Sequence, residues 1–227
     1  MHWVDRAGGL AGILAAVHLL YLPGCVCDVW IAGTSVPELT PDTLSATVAQ
    51  AFAADAGRGR VAAMFGLLAV FLVTVFFARL DGALRAAAAP GAWTARLPLL
   101  GGILLAVLLL VDAGLGFAAS ELTDYGTETE VLRFFVLWQW TSASLFAPAV
   151  ALALLGTTVT AFTTTAFPPA YRWASLVLLV LLVLATPIGP GLALFPGTFW
   201  MFLTAGILVV RRPTAEAVPP AVSPAPA

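Results

Sequence analysis

The sequence is short of charge and contains no lysine. Only 10% of its 227 residues are charged, against about 25% in a soluble domain, and all ten basic residues are arginine. A chain with so few charges cannot cover a water-facing surface, which excludes a soluble domain. The net charge of -2 and the lack of a basic cluster exclude a nucleic-acid partner.

Histidine and cysteine are also scarce, with two of each in the chain. Three of these four residues lie in "HLLYLPGCVCDVW" (18–30). On a helix, His18 and Cys25 share a face but lie about 10 Å apart along the axis, too far to hold one ion. Cys25 and Cys27 diverge around the helix, and a thiol-redox pair has Cys-x-x-Cys spacing. We therefore expect no metal site, no redox pair and no cofactor.

The same stretch contains a processing alternative. "LPGC", from Leu22 to Cys25, resembles a lipoprotein cleavage box that follows an apolar run. Pro23 is unusual in such a box, and the preceding segment has a weak n-region because Asp5 partly offsets Arg6. An uncleaved first span is the favoured interpretation, and cleavage before Cys25 is the alternative.

Long apolar runs are what the chain has in abundance. A spanning helix needs about 20 mostly apolar residues, whereas barrel strands are about half as long and alternate in polarity. We therefore predict an all-α, polytopic transmembrane helix bundle without an internal repeat. Its six spans are expected at about 7–30, 60–79, 97–119, 131–156, 171–188 and 192–210.

The arginines predict how this bundle is oriented. With six spans, the two termini share a side with the second and fourth loops, and that side carries seven arginines against three on the other. Because cytoplasmic loops are enriched in arginine and lysine, both termini are expected in the cytoplasm. The preference for arginine over lysine is typical of high-GC bacterial genomes. The seven are Arg6, Arg79, Arg85, Arg96, Arg172, Arg211 and Arg212.

The chain divides into a transmembrane domain, 1–212, and a proline- and alanine-rich tail, 213–227, that is expected to be disordered. The second span should extend into the cytoplasm, where Arg79 and Arg85 reach towards lipid headgroups. The Pro-Gly pair at 90–91 should end that helix.

The first outer loop is predicted to contain a short separate helix. Thr40 can cap it, Pro41 suits its first position, and apolar residues recur every four positions from Leu44 to Phe52. Such a helix would lie on the outer membrane surface or over the bundle, and a lid over an outward-facing cavity is the alternative.

The second span with its arginine-ended extension, and the stretch "PPAYRWASLVLLVLLVLATPIGPG" (168–191), resemble uncharacterised six-helix integral membrane proteins of actinobacteria. The resemblance covers most of the chain and consists mainly of hydrophobic spacing. It implies a multi-pass protein of the plasma membrane, and it carries over no functional residue.

Asp112, in "LLAVLLLVDAGLGFAAS" (104–120), is the strongest functional pointer. It is expected about 10 Å inside the outer end of the third span. An aspartate at the centre of a span costs about 2.5–3.5 kcal/mol on insertion scales, so it should face the bundle and have partners. We predict a polar pocket that opens outward, built from Asp112, Asp28, Arg133 and Gln139.

Two glycines and one histidine complete this prediction. Gly114 and Gly116 beside Asp112 should permit close helix approach. His18 is a further candidate for the pocket, either as a proton relay or as a neutral imidazole hydrogen-bonded to a neighbouring helix. The simpler alternative is that Asp112 only joins helices through Gln139 or Arg133.

Three classes of function fit these features. The favoured one is a non-enzymatic membrane protein that binds a small ligand or acts as an accessory or regulatory subunit, because no catalytic motif is visible. The alternatives are an intramembrane enzyme that uses carboxylate acid/base chemistry on a lipid or isoprenoid, and a proton-coupled transporter. The expected partners are membrane lipids and a small apolar or amphipathic ligand. The oligomeric state stays open.

Overall fold

The computed structural model describes residues 2–20, 45–122, 129–165, 167–188 and 190–210, and these are almost entirely helical. A short 3-10 helix, Trp93–Arg96, precedes the third α-helix. The α-helices are α1 (His2–Leu20), α2 (Ser45–Ala87), α3 (Leu97–Leu122), α4 (Thr129–Thr163), α5 (Pro169–Ala185) and α6 (Pro190–Val210). The predicted all-α bundle of six helices is confirmed.

Close contacts at small residues fix the direction of each helix. Gly12 of α1 lies against Phe76 of α2, and Gly8 lies against Arg79, so residue numbers fall along α1 as they rise along α2. These two helices are therefore antiparallel. Gly9 lies against Val209, so α1 also packs along α6.

The directions of the other neighbouring helices follow from their contacts in the same way. Along α2 and α3, Gly66 faces Ala113 and Phe77 faces Gly102, which makes that pair antiparallel as well. Each pair of consecutive α-helices that packs together runs in opposite directions, which gives an up-and-down bundle. Consequently the described ends of α1 and α6, His2 and Val210, lie at one end of the bundle.

We name the two ends by their residues. The arginine-rich end contains the described arginines Arg6, Arg79, Arg85, Arg96 and Arg172. The Asp112 end is the opposite one, at which α3 finishes and α4 begins.

Four helical stretches are long and apolar enough to cross a membrane: Ala63–Ala87, Trp93–Ala118, Ser144–Thr163 and Leu192–Val210. The apolar stretches of α1 and α5, Arg6–Leu19 and Pro169–Ala185, are shorter. Large apolar side chains such as Met64, Phe71 and Val183 are more than half exposed on the bundle exterior. An apolar exterior of this kind suits a lipid environment, so the chain is a membrane-embedded bundle.

The first outer loop differs from the prediction. The short separate helix up to Phe52 is wrong, because α2 is one continuous helix of 43 residues from Ser45 to Ala87. Thr40, Pro41 and Leu44 lie outside the described residues. No proline occurs between 45 and 87, and this segment is rich in alanine, the strongest helix former, so nothing in it ends the helix.

The other end of α2 behaves as predicted. The helix finishes at Ala87, and a turn at Pro90 and Gly91 follows, with Gly91 at φ 82°. That left-handed backbone conformation favours glycine. The turn leads into the 3-10 helix and then into α3.

The core is built where the helices approach each other most closely. An added Cβ at Gly102 of α3 would lie 2.3 Å from Cγ of Phe77 on α2, so only glycine permits this approach. Phe77 also lies against Trp200 of α6, with ring centroids 6.2 Å apart. Trp200 is fully buried and belongs to one apolar cluster that contains side chains from all six α-helices.

Candidate functional site

Asp112 lies on α3 and is half-buried. Its Oδ1 accepts a hydrogen bond of 2.9 Å from Nε1 of Trp138 on α4. The bond joins two antiparallel helices and fixes the position of the carboxylate. Because the indole nitrogen can only donate, it leaves the acceptor role to the carboxylate.

The depth of Asp112 follows from its neighbours. The apolar stretch of α3 continues for six more residues, to Ala118, which corresponds to about 9 Å along the axis. On α2, the residue level with Ala113 is Gly66, three positions after that helix becomes apolar at Ala63. The carboxylate therefore lies inside the apolar layer but close to its Asp112-end boundary.

The structure describes only part of the predicted pocket. Asp28 lies outside the described residues, as do the side chains of Arg133 and Gln139, although both residues belong to α4. His18 is half-buried on α1, and among the described residues none forms a hydrogen bond with its side chain. Since α1 packs against α2 and α6, whereas α3 packs against α2 and α4, the grouping of His18 with Asp112 remains a prediction.

Among the described residues, the two glycines beside Asp112 mark no close helix contact, because an added Cβ at Gly114 or Gly116 would meet no described atom within 4 Å. The close approach of α2 and α3 near Asp112 occurs at Gly66, where an added Cβ would lie 2.8 Å from Cβ of Ala113. Gly114 and Gly116 sit on other faces of the same helix, because each residue rotates by about 100°.

A second intramembrane carboxylate, Asp81, was not recognised in the sequence. It is only 2% exposed, and its Oδ2 lies 2.6 Å from Nη2 of Arg85, one turn later on α2. Its Oδ1 is buried without a hydrogen-bond partner among the described residues. The spacing of an acid and an arginine at i and i+4 was a signal for this pair. It was missed because the segment was interpreted as a cytoplasmic extension of the second span.

Towards the arginine-rich end, a closed ring of hydrogen bonds joins α5 to α6. Nε1 of Trp200 donates to the hydroxyl of Tyr171 at 3.0 Å, and that hydroxyl lies 2.7 Å from Oγ1 of Thr204. Oγ1 of Thr204 in turn donates to the backbone oxygen of Trp200 at 2.8 Å. Because the single hydroxyl proton of Thr204 serves the backbone, Tyr171 must donate to Thr204. Every polar atom of the ring is satisfied.

An apolar groove lies between α2 and α3, with a volume of about 290 Å³. It does not include Asp112. Its lining is almost wholly hydrocarbon, and Oγ1 of Thr74 within it bonds to its own helix at the backbone oxygen of Val70. The groove therefore offers no polar group that could orient a ligand. Its lining includes Val70, Phe77, Gly102, Ile103, Ala106 and Leu110.

Among the described residues, no three side chains of histidine, cysteine, aspartate or glutamate come together in a way that could hold a metal ion. Cys25 and Cys27 lie outside that part of the chain.

Comparison with known proteins adds no assignment to this site. No family model, curated protein or solved structure matches the chain. The resemblance to six-helix proteins of actinobacteria thus stays a prediction.

Proposed function

We propose that the chain is a non-enzymatic, multi-pass protein of the bacterial plasma membrane that binds a small apolar or amphipathic ligand, either itself or as an accessory or regulatory subunit. The ligand site would include Asp112 and open at the Asp112 end. The observation that supports this most is the half-buried carboxylate of Asp112 held by Trp138.

The contrast with Asp81 supports the choice of Asp112. Asp81 is sealed in the bundle and paired with Arg85 on its own helix, so a ligand has no access to it. Asp112 keeps part of its surface exposed and lies near a boundary of the apolar layer. Ionisable residues within a membrane span are costly, and they usually mark functional sites.

The chemistry of Asp112 and Trp138 defines the kind of ligand. A carboxylate binds an ammonium group or an N–H or O–H donor, and the face of a tryptophan ring attracts cations. The surrounding helices contribute apolar surface, including the half-exposed side chains of Phe117 and Phe134. An amphipathic molecule with a polar, preferably cationic, head and an apolar body matches this combination.

Asp112→Asn is the central variant for testing the site. Asparagine keeps an oxygen that can accept the hydrogen bond from Trp138, so the free energy of unfolding should fall by less than about 1 kcal/mol, the scale of interhelical bonds in membranes. The measurement is thermal unfolding of the purified protein in detergent, with and without hexylamine or hexanol. Hexylamine should raise the unfolding midpoint of the wild type more than hexanol does, and Asp112→Asn should abolish that difference.

Other results would contradict the proposal. An equal response of the wild type to the amine and the alcohol would exclude a carboxylate-based site. An Asp112→Asn protein that responds as the wild type does, and also complements a deletion strain fully, would show that Asp112 only joins α3 to α4.

The proposed location has its own test. It is supported by the arginine count, since the arginine-rich end should face the cytoplasm. A reporter that works only in the cytoplasm should be active when it is fused after Ala227. Activity of a periplasmic reporter at that position would reverse the topology.

A further inference from the structure

Arg172 lies in the first turn of α5, in an unusual environment for a guanidinium group. The residue is half-buried, and its Nε is buried with no hydrogen-bond partner among the described residues. Buried polar atoms nearly always have a partner, and because Arg172 keeps part of its surface exposed, its guanidinium group can take a partner from outside the described chain.

No carboxylate of the surrounding helices can supply that partner. Between Glu130 and Glu216 the sequence contains no aspartate or glutamate. The helices that pack against α5 are α4 and α6, and their membrane portions lie within this acid-free stretch. Two other described arginines have acidic partners: Arg85 pairs with Asp81, and Arg60 pairs with Glu121 at 2.7 Å.

Two exposed tryptophan rings mark the membrane boundary at the end of the bundle that holds Arg172. Trp173 of α5 is 64% exposed and packs edge-on against Phe162 of α4, with ring centroids 5.3 Å apart. Trp93, at the same end of the bundle, is also largely exposed. Tryptophan concentrates at the level of lipid headgroups, so Arg172 lies where phosphate groups are found.

From these observations we propose that Arg172 binds the phosphate of an anionic phospholipid at the edge between α4 and α5, while Trp173 and Phe162 contact the glycerol and upper acyl chains of the same lipid. Guanidinium groups bind phosphate oxygens through paired N–H donors, which a lysine ammonium cannot reproduce. This inference does not depend on the ligand site at Asp112.

The test uses the full-length protein in nanodiscs of phosphatidylcholine alone, or of equal parts phosphatidylcholine and phosphatidylglycerol. Phosphatidylglycerol should raise the thermal unfolding midpoint of the wild type. Arg172→Gln should lose most of that rise, and Arg172→Lys should keep part of it, because charge remains but the paired donors do not. Arg60→Gln is the matched control, since it also removes one arginine but at the Asp112 end, and it should keep the full rise.

Native mass spectrometry supplies a second readout that does not depend on stability. The wild type should retain phosphatidylglycerol through detergent exchange, and both Arg172 variants should retain less of it than Arg60→Gln does. Equal retention by all four proteins would overturn the proposal, as would a full rise in the midpoint of Arg172→Gln. A rise produced by inorganic phosphate in phosphatidylcholine nanodiscs would replace the lipid with free phosphate and would also overturn it.

Discussion

Towards the arginine-rich end, Tyr171, Trp200 and Thr204 join α5 to α6 in a closed ring of hydrogen bonds, whereas at the Asp112 end the described bond between Asp112 and Trp138 joins α3 to α4. The ring includes Tyr171, which is 2% exposed, and Trp200, which is fully buried. Asp112 and Trp138 are both half-buried. The difference shows that the first group is buried among the helices, whereas the second keeps part of its surface exposed.

The largest effect should come from the contact that brings α2 and α3 together. In Gly102→Leu the new side chain meets the ring of Phe77, which cannot move away because it is itself buried. The two helices must separate, and the free energy of unfolding should fall by about 3 kcal/mol. Thermal unfolding in detergent checks this.

Gly114→Leu is the matched control on the same helix, because an added side chain there meets open space. Its unfolding midpoint should stay close to that of the wild type. If Gly102→Leu and Gly114→Leu had the same unfolding midpoint, the two parts of α3 would not differ in packing.

An intermediate effect is expected from the hydrogen-bonded ring. Tyr171→Phe removes the hydroxyl and leaves the buried N–H of Trp200 without an acceptor, which should lower the free energy of unfolding by about 1–2 kcal/mol. Trp138→Phe removes one partner of the half-buried bond at the other end, where neither residue is fully buried, and should cost less. Equal losses in the two variants would remove the distinction between the ends.

The smallest effect should come from the ion pair between Arg60 and Glu121. Both side chains are more than one third exposed, so water screens the charges, and Glu121→Gln should lower the free energy of unfolding by less than about 1 kcal/mol. Added salt should shrink even that difference. A large loss that persists at high salt would show that this pair, and not the ring, stabilises the bundle.

Hydrophobic run length predicted the six helices, and the Pro-Gly pair at 90–91 predicted the end of α2, since both features depend on local sequence. The continuity of α2 was missed, because an alanine-rich loop and a helical extension have the same local preferences. Only the absence of a proline between 45 and 87 distinguished them.

The candidate site was predicted less fully than the fold. Depth within the span pointed to Asp112, but not to its bond with Trp138, and the bond predicted with Gln139 lies outside the described residues. One residue changes the direction of a helical side chain by about 100°, so a partner cannot be chosen without the rotation of α4. Asp81 and the ring at Tyr171 depend on how α2, α5 and α6 pack, which hydrophobic spacing does not determine.

The short length of α5 has a consequence for how the protein enters the membrane. Its 17 residues extend about 25 Å, less than the hydrocarbon thickness of about 30 Å. Tyr171 is tied to α6 through the ring, and few residues separate the two helices. We therefore expect α5 and α6 to leave the insertion machinery as one helical hairpin, so that the longer partner secures the membrane position of the shorter one during biogenesis.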